Sequence, residues 1–358
     1  MNNNITDINA KIRNIKYEPL LCSELTSFDY SDMARALGDK AAFFLDVDEQ
    51  NTFAISRWVS PKRTRSYPYV RVYDTLQFSG KRVTIIPIIK DEGQHGDRDY
   101  LQWDTVSLMS LLGVYVLIGY YVIAEPNRRN PKKPKITNQQ FDIDYLKNKI
   151  DELLSYQSDA LHWNLSQLER IGVIGNKAIE AYSKIQKQLG IPLHSMDMAR
   201  MRFEEIGTDS ETFKYASRRL AASAQARETQ VVNPYELISG VKGKITITNY
   251  IGGEYHFTAD EVRFIGDYKL EFVEAKNTTD PNKILTSLND IKDALFKMVL
   301  FTNLENVRID NHEYKHDSVI KLTSSRGFDI SKLSNRESDF YRLLQEEART
   351  NNFLIRHE

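Results

Sequence analysis

The chain has 358 residues, enough for two or three domains, and its 41% hydrophobic and 27% charged residues are typical of a folded globular protein. Its 48 Lys and Arg nearly balance 49 Asp and Glu, so any nucleic-acid surface would have to come from local clusters rather than from bulk charge. The single cysteine, Cys22, excludes an intramolecular disulfide and a cysteine-based zinc site, and it favours a reducing, cytoplasmic location. We expect no secretory signal, because residues 1–18 contain no apolar run.

Residues 1–125 predict an N-terminal α/β domain. Strands rich in β-branched residues are predicted at 81–90 and after Gly113, separated by a short helix that Asp104 can cap. The uncharged run 106–124, which a basic stretch follows, is also long enough for a membrane span. We favour a helix, a turn and a buried strand, because Gly113 divides the run and β-branched and aromatic residues follow it. The sequence therefore predicts no membrane span here.

A stretch that mixes basic and aromatic residues, 57–74, lies in this domain. It fits a solvated loop leading into an edge strand. It fits equally well a surface whose cations contact phosphates and whose aromatic rings pack on sugars or bases. A predicted helix at 210–229 is also basic, and there a solvated face is favoured over DNA contact. The candidate DNA-binding residues are Lys62, Arg63, Arg65, Arg218 and Arg219.

The composition changes twice after the first domain. Residues 126–136 combine prolines with basic side chains and predict a linker. Residues 137–230 place apolar side chains at three- and four-residue spacing and predict a helical region. Residues 231–358 predict a second α/β domain in the order helix, three strands, helix and strand, followed by a closing helix. Asp280 before Pro281 is the predicted N-cap of the longer helix.

The acidic stretch 90–104, which contains one histidine, is a second place where a metal could bind. Its spacing matches no calcium-binding loop, and one histidine among acidic residues is more often part of a surface loop than of a ligand set. The sequence contains no phosphate-binding loop of the Gly-Lys-Ser/Thr kind and no nucleophile elbow around a serine. We therefore favour a surface loop for this stretch.

Two consecutive predicted strands bring acidic side chains together. In "YKLEFVEAKN" (268–277), Glu274 and Lys276 follow apolar residues on one face, and buried charges of this kind need a partner, water or a metal. On the preceding strand the apolar alternation slips by one position at Asp260, which predicts a β-bulge. A tight turn at 266–267 would place Glu274 across from Asp260 or its neighbour.

Two carboxylates and a lysine at one strand end suit phosphodiester hydrolysis. Carboxylate oxygens are the ligands that Mg²⁺ prefers, and a bound Mg²⁺ can polarise a phosphodiester and lower the pKa of a water molecule. The lysine can orient or help to deprotonate that water and offset charge on the phosphorane. The alternative is a plain ion pair between Glu274 and Lys276 at a solvent-exposed strand end. Asp260 on the neighbouring strand makes us favour a site.

The stretch "ADEVRFIGDYKLEFVEAKN" (259–277) resembles the signature of the PD-(D/E)XK nuclease superfamily, which includes most type II restriction endonucleases. The resemblance covers residues 230–325 and implies a restriction-endonuclease-like mixed sheet flanked by helices. It departs from the signature at Ala259, where the family often has proline. For the whole chain we expect an α/β protein, α+β overall, with an N-terminal α/β domain and a helical middle region.

The resemblance also implies a role for each residue of the motif. The implied catalytic residues are Asp260, Glu274, Lys276 and Glu236. Mg²⁺ would bind Asp260, Glu274 and the backbone carbonyl of Ala275. Glu236 represents the glutamate that often joins such a site from the helix before the first strand, and Glu228 is the alternative for that position.

The expected function is Mg²⁺-dependent hydrolysis of double-stranded DNA at a specific sequence, in the manner of a type II restriction enzyme. Residues 231–358 would cut the DNA that residues 1–230 recognise. A palindromic target cut on both strands would require a homodimer, and a cognate DNA methyltransferase would accompany an enzyme of this type. One alternative is a catalytically inactive DNA-binding or partner-binding protein on a nuclease fold, although the intact motif argues against it. Another is a membrane-associated protein anchored by residues 106–124.

Overall fold

A computed structural model describes residues 5–61, 67–127, 129, 132–207, 241–278, 280, 283–310, 312–324 and 327–357. Contacts divide the chain into two compact units. The terminal unit combines Met1–Glu24 with Ala221–Glu358, and the central unit is Leu25–Leu220. The N-terminal residues therefore belong with the C-terminal part of the chain and not with the residues that directly follow them.

Both units contain strands and helices. The strands are β1 (Ile5–Ile12), β2 (Ser27–Asp29), β3 (Ala42–Asp46), β4 (Thr52–Arg57), β5 (Arg82–Pro87), β6 (Ile89–Asp91), β7 (Arg98–Tyr100), β8 (Val114–Gly119), β9 (Tyr121–Asn127), β10 (Lys135–Phe141), β11 (Val241–Asn249), β12 (Glu254–Phe264), β13 (Lys269–Thr278), β14 (Glu305–Ile309), β15 (His312–Glu313), β16 (Lys315–Ser324) and β17 (Leu354–His357). The α-helices are α1 (Met33–Asp39), α2 (Tyr67–Tyr73), α3 (Trp103–Leu111), α4 (Ile143–Leu154), α5 (Ala160–Leu168), α6 (Ile171–Leu189), α7 (Met196–Gly207), α8 (Leu288–Phe301) and α9 (Asn335–Thr350).

The terminal unit is built on a large mixed sheet. Within the described residues its strand order is β15-β14-β1-β11-β12-β13-β16-β17. Pairing is antiparallel from β11 through β12 to β13, and it is parallel between β1 and β11, between β13 and β16, and between β16 and β17. Helix α8 follows β13 along the chain and packs on β13 and β16, while α9 packs on β17. The prediction of a mixed sheet flanked by helices is therefore confirmed.

Strand β1 was not predicted from the sequence. Its buried side chains, Ile8, Ala10 and Ile12, alternate as expected for a strand with one face in the core. The strand pairs parallel with β11 and antiparallel with β14, so it lies inside the sheet and not at an edge. These pairings explain why the N-terminal residues belong to the terminal unit.

The two α-helices found among the described residues of the terminal unit begin at local side-chain caps. Helix α8 starts at Leu288, because the side chain of Ser287 accepts a hydrogen bond from the backbone N–H of Asp290 at 3.2 Å. The prediction that Asp280 caps this helix is therefore wrong. Helix α9 is the predicted closing helix, and Ser334 and Glu337 form a capping box at its start.

The central unit contains a smaller sheet and the predicted helices. Its strand order is β2-β3-β4-β5-β8 within the described residues, and β4, β5 and β8 are parallel. Helices α4 to α7 follow one another along the chain as the apolar periodicity predicted, up to Gly207. The predicted helix at 210–229 lies outside the described residues.

The uncharged run 106–124 contains a helix, a turn and strands. Helix α3 ends before Gly113, which adopts a φ of +66°, and β8 and the start of β9 follow. Asp104 does not cap the helix as predicted. It lies within the first turn and is fully buried, while Gln102 occupies the N-cap. No helix in the described part of the chain is long and apolar enough to cross a membrane.

The basic and aromatic stretch 57–74 ends in helix α2. The predicted edge strand is therefore wrong. Trp58, Tyr69 and Tyr73 are 1%, 7% and 0% exposed, so these rings belong to the core and are not presented for stacking on bases. The three candidate phosphate contacts in this stretch, Lys62, Arg63 and Arg65, lie outside the described residues.

Residues 126–136, for which the sequence predicted a linker, contribute the end of β9 and the start of β10. Asn127 pairs with Lys135, and Pro126 pairs with Ile136. The two strands pair with each other in a two-stranded sheet, where proline can occupy a position outside the ladder hydrogen bonds. Proline and basic charge are therefore compatible here with a hairpin.

Candidate active site

Asp260 lies at a β-bulge in β12. Gly243 of β11 pairs with Ala259, and the next pair is Val241 with Val262, so β12 contains one extra residue between them. A side chain at position 243 would collide with a methyl group of Val262, which explains the glycine. The bulge that the slipped alternation predicted is confirmed, and it turns the chain at Asp260.

The turn between β12 and β13 fixes which residues face each other. Gly266 adopts a φ of +68°, as the predicted hairpin turn requires. The antiparallel ladder ends one position before Asp260 and Glu274. Beyond it, the backbone N–H of Ala275 donates a hydrogen bond to Oδ2 of Asp260 at 2.8 Å. The hairpin thus brings Asp260 to the backbone of the Glu-x-Lys motif.

Glu274 is buried between two lysines. Its side chain is 1% exposed, Oε1 lies 2.9 Å from Nζ of Lys276, and Oε2 lies 2.7 Å from Nζ of Lys297. Burial by itself would raise the pKa of Glu274, but the two ammonium groups outweigh burial and hold the pKa below its usual range. Glu274 is therefore a carboxylate at neutral pH.

Both lysines are held in the charged form. Lys276 also contacts Oδ2 of Asp293 at 2.8 Å, and Lys297 donates to the carbonyl of Thr258 at 3.0 Å. Burial by itself would lower the pKa of Lys276, but Glu274 and Asp293 outweigh it and raise the pKa. The same carboxylate, Glu274, outweighs burial at Lys297 and raises that pKa as well.

The sequence did not reveal Asp293 and Lys297. They lie four residues apart on α8, so they share one face of the helix, and α8 packs on β13. Their neighbours Ala294, Leu295 and Met298 are fully buried. Two opposite charges at this spacing within an apolar helix were the signal available in the sequence, although nothing in the sequence showed that the pair faces Glu274.

The oxygen donors of Asp260, Glu274 and Ala275 are of the chemical type that a hard cation prefers, but they do not form a preassembled metal site. Asp260, Glu274 and the carbonyl of Ala275 offer oxygen ligands, and Mg²⁺ commonly binds through one or two carboxylates while retaining water. Among the described residues, no three His, Cys, Asp or Glu side chains are grouped so that they could hold an ion together. Since both oxygens of Glu274 contact lysines, binding of a cation there would have to share or displace one of these contacts.

The remaining candidate site residues lie outside the described residues: Glu228, Glu236, Lys62, Arg63, Arg65, Arg218 and Arg219.

Acidic residues of the stretch 90–104, which belongs to the central unit, form ion pairs with basic side chains beside them. Asp91 is fully buried, and its carboxylate lies 3.0 Å from Nε of Arg98 and 3.0 Å from Nδ1 of His194. Lys90 pairs with Glu92 at 2.7 Å. Contacts of this kind hold the loop in place, and the described residues contain no grouping of acids and histidines that could hold a metal there.

Comparison of the chain with protein-family models, with curated proteins and with solved structures found no match. The class of the protein therefore has to be argued from the geometry of the site.

Proposed function

We propose that this protein is a Mg²⁺-dependent endodeoxyribonuclease of the type II restriction kind, which hydrolyses phosphodiester bonds in double-stranded DNA at a specific sequence. The proposal includes a restriction-endonuclease-like fold for the terminal unit, a homodimer acting on a palindromic target, and a cognate DNA methyltransferase. The observation that carries it is the hydrogen bond from Ala275 N–H to Asp260, which joins one carboxylate to the strand of Glu274 and Lys276.

In the proposed reaction Asp260, Glu274 and the carbonyl of Ala275 would hold Mg²⁺, which when bound activates water and polarises the scissile phosphate. The Lys276 ammonium would orient the attacking water and stabilise negative charge on the phosphorane oxygens. The water oxygen bonds to phosphorus as the bond to the leaving 3′ oxygen breaks. A water proton passes to solvent, and the leaving oxygen takes up a proton.

Asp293 and Lys297 would position the reacting groups. Asp293 contacts the ammonium of Lys276 in addition to Glu274, and Lys297 keeps Glu274 ionised. Side chains held by two partners lose little further freedom when substrate binds, which supports a preorganised site.

The test is incubation of the purified full chain with supercoiled plasmid and Mg²⁺, followed by mapping of the cut ends. We expect discrete cuts at one sequence, and Lys276→Ala should reduce the rate by on the order of 10²–10⁴-fold while the protein remains folded. Cleavage by the variant at the wild-type rate would refute the assignment. DNA binding without cleavage by wild-type protein would instead support an inactive DNA-binding protein, a candidate favoured by the two lysine contacts on Glu274.

A further inference from the structure

The central unit contains a cavity of about 690 Å³. Helix α1, strand β6 and the β9–β10 hairpin line it, and its volume lies in the range typical of small-molecule sites. The proposed catalytic residues Asp260, Glu274 and Lys276 do not line it. The hairpin contributes an unusual concentration of side-chain amides: Asn127, Asn138, Gln139 and Gln140.

A bulge in β10 shapes this lining. Thr137 pairs with Glu125 and Gln140 pairs with Ile123, which leaves one extra residue in β10. Asn138 within the bulge has a φ of +48°, a conformation that non-glycine residues rarely adopt. The side-chain amides of Gln139 and Gln140, beside the bulge, have different surroundings. Gln139 donates to the carbonyl of Asp91 at 2.7 Å, whereas the side chain of Gln140 is exposed. Bulges and left-handed residues of this kind occur often beside binding sites.

Arg57 supplies a polar group that needs an acceptor. It lines the cavity, its terminal nitrogen donates to the carbonyl of Leu37, and its buried Nε has no hydrogen-bond partner among the described residues. Burial lowers the pKa of Arg57, and a nearby anion would offset that cost. Lys135 adds a second cation to the lining, while Lys90 is paired with Glu92 at 2.7 Å.

We infer that this cavity binds a nucleotide, with the base edge at the amides of Asn127 and Gln140 and the phosphate at Arg57 and Lys135. A side-chain amide offers a donor and an acceptor side by side, which is the arrangement that base edges match. Guanidinium and ammonium groups form charge-assisted hydrogen bonds with phosphate oxygens. Mixed amides and cations therefore fit a nucleotide better than they fit an apolar ligand or a bare anion.

Two kinds of ligand offer both a base edge and a phosphate: a free mononucleotide, and a nucleotide extruded from DNA. The turn of the β9–β10 hairpin carries exposed Arg129, Lys132 and Lys133, which extend positive charge from the cavity lining along the same hairpin. The inference goes beyond DNA cleavage and does not depend on it, because it concerns only the central unit.

The experiment uses the full chain with Lys276→Ala, so that cleavage cannot interfere. One arm titrates the four deoxynucleoside monophosphates by calorimetry. The other follows 2-aminopurine fluorescence in DNA duplexes that carry this base opposite a mismatch, from which it is extruded at least cost. Lys135→Ala/Gln140→Ala is the cavity variant, and Lys184→Ala, which replaces an exposed lysine of helix α6 that does not line the cavity, is the matched control.

We expect saturable binding in at least one arm, weakened about tenfold to a hundredfold in the cavity variant and unchanged in the control. A response in the first arm identifies free nucleotide as the source, and a response in the second arm alone identifies DNA. The absence of both responses, or equal binding by the cavity variant, would overturn the inference. Plasmid cleavage by protein with Lys276 intact is measured separately, so failure of either proposal can be recognised without the other.

Discussion

The carboxylate of Glu274 lies where β13 packs against helix α8, and the ammonium groups of Lys276 and Lys297 neutralise it. Removing one partner from a buried ion pair is costly, because the remaining charge is left without compensation. Lys297 is the partner that the sequence did not reveal, and it contacts Oε2 of Glu274 at 2.7 Å. Replacing Lys297 therefore tests how strongly the buried charge of Glu274 depends on this partner.

We expect Lys297→Ala to lower the free energy of unfolding by about 3 kcal/mol and to slow DNA cleavage by on the order of 10²-fold. Denaturant unfolding measures the first effect and a plasmid assay the second. Lys332→Ala is the control, since Lys332 and its partner Asp329 are 70% and 43% exposed and exposed ion pairs contribute little to stability. Equal destabilisation by the two substitutions would contradict the buried-pair assignment.

The lowered pKa of Glu274 predicts a dependence of stability on acid pH. Its ordinary pKa is 4.5, and the pKa in the folded protein is lower, so ionisation of Glu274 stabilises the fold above pH 4.5. That contribution is lost as the pH falls through the folded-state pKa. We expect the stability difference between wild type and Glu274→Gln to be constant between pH 6 and 8 and to shrink on acidification below about pH 4. Unfolding curves across this pH range provide the measurement, and a pH-independent difference would contradict the argument.

Among the secondary-structure elements, the bulge in β12 decides where Asp260 points. The extra residue lies between two well-paired segments, and Gly243 on β11 leaves room for the side chain of Val262 beside it. A substitution at Gly243 would therefore act on the site through backbone geometry and not through charge.

We expect Gly243→Ala to destabilise the protein by about 1–3 kcal/mol and to reduce cleavage, because the added methyl group displaces Val262 and with it the bulge. Combining Gly243→Ala with Val262→Ala should recover part of both losses, since the second change removes the group that collides. Thermal unfolding and plasmid cleavage of the single and double variants form the cycle. Strictly additive losses would show that the two residues do not compete for space.

The bulge, the helix starts and the contacts of the site differ in how far they could be predicted from the sequence. The bulge at Asp260 was predictable, because the period of the strand slips there, and α9 was predictable from a local capping box at Ser334. The start of α8 was missed, because Ser287 and Asp280 offer equally good cap chemistry and only the structure distinguishes them. Lys297 could not be assigned, because its contact with Glu274 joins segments that local pattern does not connect.

For the molecule as a whole, the net charge of −1 means that the proposed DNA affinity would have to come from local clusters of cations. In the stretch 57–74, burial of Trp58, Tyr69 and Tyr73 removes these rings as stacking partners. The contribution predicted for Lys62, Arg63 and Arg65 is electrostatic and therefore sensitive to salt.

We expect replacement of Lys62, Arg63 and Arg65 by alanine to reduce the slope of log K against log salt by about 2.7, at roughly 0.9 per phosphate contact on duplex DNA. The measurement is a salt titration of duplex binding in Ca²⁺, which supports binding without cleavage if Mg²⁺ is the catalytic ion. Sequence preference should persist, since backbone contacts carry no base information. An unchanged slope would assign these residues to a solvated loop.

The parallel pairing of β1 with β11 has a consequence for biosynthesis. Ile5 pairs with Lys242, so the central unit is synthesised between the two strands. At a synthesis rate of about 5–20 residues per second, on the order of 10–50 s pass between the synthesis of β1 and the synthesis of β11. The hairpin with Asp260 and Glu274 and the helix with Lys297 emerge later still. If the site cuts DNA, a nascent chain cannot cut the genome of its host until synthesis has passed helix α8, because Asp260, Glu274 and Lys297 are all made after the central unit.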